Sequence, residues 1–215
     1  DPNGLRNTAN AAVVAAAGSI AVTGDNSDNT TTQFHSVAEA LVINAISSTV
    51  TETYNLQDLT ENLLAASSGV VAGATLVKSS DDGVITAADM NSLVAKYGTT
   101  KLAADTNLDV TDTPANLATL TANAVTATTA TSKSGSDTVT VAELDTLKAL
   151  LGAKITTDYA ISDTVANVVT AVGNTTSLAN LKAQDGGSGS VSVTGNATVT
   201  QISTINTALD ATELV

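Results

Sequence analysis

Several acids in this chain stand beside hydroxyl residues at spacings that suit either a cation site or the start of a helix, two uses of a carboxylate that compete for the same atoms. The best cation candidate is Lys78-Ser79-Ser80-Asp81-Asp82-Gly83-Val84-Ile85-Thr86-Ala87-Ala88-Asp89, which has the length of a calcium loop, glycine at its sixth place and a hydrophobe at its eighth. Lys78 holds the first ligand place, Ser80 the third, and Asp89 replaces the bidentate glutamate. An ammonium group cannot ligate a cation, so the segment reads as a capped helix start. The Thr23-Gly24-Asp25-Asn26-Ser27-Asp28-Asn29 loop is acidic enough to attract a surface cation but is composed like a solvated turn.

A single histidine, His35, precedes Ser36, and the sequence places it at the surface before a helix. With one histidine there is no two-histidine zinc cluster to assemble, and nucleophilic catalysis would need His35 beside an activated serine. No Gly-x-Ser-x-Gly elbow, phosphate loop or dinucleotide fingerprint is present. No carboxylate pair for glycoside chemistry stands out from the 21 acids. The expectation is therefore a protein that is not an enzyme, with no catalytic, cofactor-binding or metal residue assigned; calcium is the one ion left open. Asn29-Thr30-Thr31, Asn174-Thr175-Thr176 and Asn196-Ala197-Thr198 match the glycosylation pattern, as a chain rich in Asn and Thr does by chance.

The same acids make consistent sense as parts of a repeat. Ser36-Val37-Ala38-Glu39, Thr86-Ala87-Ala88-Asp89, Thr140-Val141-Ala142-Glu143 and Thr198-Val199-Thr200-Gln201 are capping boxes, and their first residues lie 50, 54 and 58 positions apart. Apolar residues follow at helical spacing: Met90, Leu93, Val94 and Tyr97; Leu144, Leu147 and Leu151; Ile202, Ile205 and Leu209. Gly98 and Gly152 close two of these helices.

A second pattern interleaves with the first. Tyr54 to Leu63, Leu108 to Leu117 and Tyr159 to Val168 each begin with alternating apolar residues and reach an aspartate, Asp58, Asp112 or Asp163, with Asn62, Asn116 or Asn167 four places on. Each aspartate is expected to stop a strand and cap the short helix after it, with Pro114 in a first turn. The asparagines are placed to hydrogen-bond from unit to unit as a ladder. Short strands are expected before the long helices, at Ser19 to Thr23, Gly83 to Ile85, Asp137 to Val139 and Ser190 to Thr194. Polar connectors are expected at Ser67 to Asp82, Ala124 to Ser136 and Gly173 to Gly189.

The fold class that follows is α/β: an open right-handed βα solenoid of about four repeats of 50–58 residues with parallel strands, since parallel neighbours need crossovers and that hand is preferred. Residues 1–215 form one array, with units near 19–77, 78–132, 133–182 and 183–215, and with 1–18 as the tail of a preceding unit. Both termini then fall inside a unit. Either the chain is a segment of a longer array, or copies dock end to end and propagate as a filament.

Composition agrees with a thin, layered core. Of 215 residues 43% are hydrophobic, but aromatics make up only 2% and tryptophan is absent, so backbones must approach closely. Eight basic against 21 acidic residues give a charge of −13, which repels a phosphate backbone and argues against nucleic acid. No stretch has the length of a membrane helix. An acidic, Thr-rich chain without cysteine points to an extracellular or cell-surface setting.

At Val139-Thr140-Val141-Ala142-Glu143 and Tyr159-Ala160-Ile161-Ser162-Asp163-Thr164-Val165-Ala166-Asn167-Val168, the chain resembles the Ala/Thr/Asp-rich repeats of very large secreted or surface proteins of marine cyanobacteria and other bacteria. The resemblance runs from about Ser36 to Leu209 and implies a secreted or surface-displayed, non-enzymatic array. With the reading of the termini, the expectation is a structural repeat segment of a surface, adhesin or appendage protein whose partners are copies of itself or adjacent repeats of a longer chain. The Gly-Gly-x-Gly-x-Asp nonapeptides of calcium rolls are missing. The alternative is a module that binds glycan, mineral or ice through a Thr-rich face, for which Thr111 and Thr138 to Thr140 are the candidate residues.

Overall fold

The computed structural model describes residues 19–21, 34–45, 51–81, 85–102, 109–126, 129–132, 138–155, 159–185 and 190–209. These residues build a mixed α/β structure of parallel strands and helices in two compact units, Asp1–Ile85 with Asp89–Leu108 and Thr86–Ala88 with Asp109–Val215.

The first unit runs β1 (Ser19–Ala21), β2 (Phe34–His35), α1 (Val37–Asn44), β3 (Thr51–Asp58), α2 (Thr60–Ala65), α3 (Ser68–Gly73), β4 (Ala74–Ser79), α4 (Ala87–Tyr97, its first two residues belonging to the second unit) and α5 (Thr99–Leu102). β3 lies between β2 and β4, parallel to both, and its first residues also pair with β1. Alternation along β3 buries Tyr54 and Leu56. Also buried are Ile43 of α1, Leu63 of α2, Val70 of α3, Val77 of β4 and the stripe Met90, Leu93, Val94 and Tyr97 of α4.

The second unit continues with β5 (Asp109–Asp112), α6 (Pro114–Leu117), α7 (Ala122–Thr126), β6 (Thr129–Ser132), β7 (Thr138–Val139), α8 (Val141–Leu151), β8 (Ala160–Thr164), α9 (Val165–Val172), α10 (Thr175–Asp185), β9 (Val191–Thr194) and α11 (Val199–Leu209). β5 pairs with β6, and β7, β8 and β9 form a sheet in chain order, all parallel. Each crossover therefore passes through helix, which is what parallel neighbours require. Its core joins Val110, Leu117, Leu144, Leu147, Leu151, Tyr159, Ile161, Val168, Leu181, Ile205 and Leu209.

Both expected helix-ending glycines are in place. Gly98 (φ 76°) and Gly152 (φ 55°) occupy the left-handed region, and their N–H groups donate to Val94 O and Lys148 O. The expected connectors are only partly loop: they contain α3 and β4, α7 and β6, and α10. Their Ala, Ser and Thr content hides the signal, because few of their described side chains are buried, among them Val70, Ala124 and Leu181. Ile202, expected on a buried stripe, is exposed at 38%.

Candidate functional site

The chemistry-bearing residues converge on one recurring node, an aspartate near the end of a strand that binds the first N–H of the preceding long helix. Asp58 Oδ2 accepts from Val37 N at 2.9 Å, Asp112 Oδ2 from Ala87 N at 3.1 Å, and Asp163 Oδ2 from Val141 N at 3.1 Å. The other oxygen serves the aspartate's own strand end: Oδ1 accepts from the next backbone N–H, of Leu59, Thr113 or Thr164, at 2.7–2.8 Å. The same Oδ1 accepts from the side-chain amide of Asn62, Asn116 or Asn167 at 2.7–2.8 Å. One carboxylate thus ties together a long helix, a strand and a short helix.

This differs from the sequence-based expectation in two respects. The aspartates do not cap their own short helices; Thr113 and Thr164 do so, accepting from Asn116 N and Asn167 N, and each aspartate stands one residue earlier. The asparagine side-chain amides, expected to form a ladder between units, each donate to the aspartate four residues before them. Contacts 21, 25 and 22 residues apart join each aspartate to its long helix, and no local periodicity reveals them.

The capping boxes complete the node. Ser36, Thr140 and Thr198 accept from the N–H of Glu39, Glu143 and Gln201, whose side chains return to the cap N–H at 2.8–2.9 Å. In α1 and α8 the lateral aspartate thus adds the first helical N–H to the two donors that the box satisfies, and its charge lies at the positive end of the helix. Thr86 and Asp89 hold the corresponding places in the sequence of α4, whose first N–H, of Ala87, binds Asp112.

Asp81 works the same way on a short helix. Its Oδ2 accepts from Thr60 N at 2.7 Å, the first residue of α2, and from Ser79 Oγ at 3.3 Å; Ser79 and Thr60 hydroxyls lie 2.9 Å apart. Hydrogen bonding from the Thr60 side chain foremost, against burial, and then from Thr60 N–H and Ser79 holds the Asp81 carboxyl below its ordinary value. At Asp58 burial pushes upward, but the Asn62 amide and the Val37 and Leu59 N–H groups outweigh it and leave the pKa lowered. Asp81 is thus occupied in capping, and Asp82, Gly83 and Val84 of the calcium-like segment lie outside the described residues. So does the whole of Thr23 to Asn29. Among the described residues no three His, Asp or Glu side chains gather as a cation would require.

The C-terminal ends of α2 and α3 are served from α4 and α5 within the first unit. Lys96 Nζ donates to Leu64 O, Tyr97 Oη to Leu63 O at 2.8 Å, and Lys101 Nζ to Val71 O at 2.7 Å. Carbonyls of these last helical turns therefore receive two cations and a phenol. Burial, with the charges of Tyr54 and Asp58 added, pushes the Tyr97 phenol up to about 12.

His35 is buried, not on the surface as expected: β2 sets it in parallel register with Leu56, and its Nδ1 lies 4.0 Å from Glu39 Oε2. Asn174 Oδ1 accepts from Thr176 N and Ser177 N, so it starts α10; Asn196 is exposed, and Asn29 lies outside the described residues. Thr140, Thr164 and Thr194 hydroxyls all bond within the fold, the last to Asp163 O. Thr138 is exposed and Thr111 half-buried.

No family model, curated protein or solved structure matches the chain. Among the described residues no helix is long and apolar enough to cross a membrane.

Proposed function

We propose that this chain is a structural repeat segment of an extracellular surface, adhesin or appendage protein, stacked as a βα solenoid and acting by its length and stiffness. One observation carries the reading: the polar groups that recur along the sequence are used up, three times over, in the same internal bonding of aspartate, asparagine and helix N-terminus. A catalytic or ligand site keeps polar groups uncommitted and convergent; a stacked array spends them on holding units to themselves and to the next. The acidic charge of −13 supports the same reading, since it keeps an extended, Ala-rich surface soluble in salt, where screening relieves self-repulsion. The likeness to Ala/Thr/Asp-rich surface repeats points the same way.

Electron micrographs of the purified chain across a concentration series, with calcium or with chelator, test this. Rods or fibres of uniform width are expected. Compact monomers at every concentration and calcium level would overturn end-to-end assembly and leave a segment of a longer array, and calcium-dependent rods would assign the ion a role.

A further inference from the structure

We draw no further inference here: the strongest candidate, the buried imidazole of His35 at the end of β2, whose Nε2 has no hydrogen-bond partner and whose Nδ1 lies 4.0 Å from Glu39 of the α1 capping box, carries nothing, because nothing in the structure shows what would partner that nitrogen and no cluster of metal-ligating side chains gathers beside it among the described residues.

Discussion

At the scale of single residues, the carboxylates of Asp58 and Asp81 behave as charged hydrogen-bond acceptors whose partners among the described residues are backbone and amide N–H groups and hydroxyls. Their pKa values are lowered in the folded chain, so the unfolded chain binds protons more readily. The stability they contribute is complete above the unfolded value, about 3.9, and is lost as pH falls through the folded values. Tyr97 gives the opposite sign: its phenol is raised to about 12, so stability is complete below the unfolded value of about 10 and drains away as pH rises toward the folded one. Urea titrations from pH 2 to 12 should show a plateau between about 5 and 9 with losses on both sides. Tyr97→Phe should flatten the alkaline limb, and Asp81→Asn the acid limb. An unchanged alkaline limb in Tyr97→Phe would show that Tyr97 ionises alike in both states.

At the scale of elements, long helices that have capping boxes and apolar stripes are legible in the sequence. α4, α8 and α11 start and stop where Thr86, Thr140 and Thr198, with Gly98 and Gly152, place them. Alternating residues likewise mark β3 and β8 through Tyr54, Leu56, Tyr159 and Ile161. What local pattern cannot show is which strand each aspartate reaches across to, because Val37 and Asp58 or Val141 and Asp163 meet only after a crossover has closed. α3, α7 and α10 escape for a different reason: they are short or polar and are stabilised by tertiary contacts, as with Lys101 on Val71 O and Ser177 on Asp145. The exposure of His35 is misjudged because a residue before a cap is also the end of a strand, and the sheet buries it.

Backbone geometry at the helix ends gives a prediction at this same scale. Gly98→Ala and Gly152→Ala should each cost about 1 kcal/mol, since a Cβ there meets no neighbour and the penalty is conformational alone. Gly173 has ordinary helical backbone (φ −81°) with Thr170 O 3.4 Å from an added Cβ. Gly173→Ala should therefore be close to neutral in thermal or urea denaturation. Equal losses at all three glycines would mean that Gly98 and Gly152 do not adopt left-handed conformations in solution.

At the scale of the whole molecule, acidic residues hold parallel crossover units together from within, and we propose that repetition of the unit is the property the protein uses. Of the calcium-like segment Asp81 takes this internal role, and the strand-ending aspartates Asp58, Asp112 and Asp163 take it as well. The most direct test is amide hydrogen exchange, resolved by NMR at Val37, Ala87 and Val141, in the parent chain and in Asp58→Ala, Asp112→Ala and Asp163→Ala. All three amides should be protected in the parent. Each substitution should remove protection at its own partner first and lower global stability by about 2 kcal/mol, the cost of losing a charge-assisted bond to a buried or half-buried donor. Solvent-rate exchange at these amides in the parent, or protection that survives the matching substitution, would contradict it.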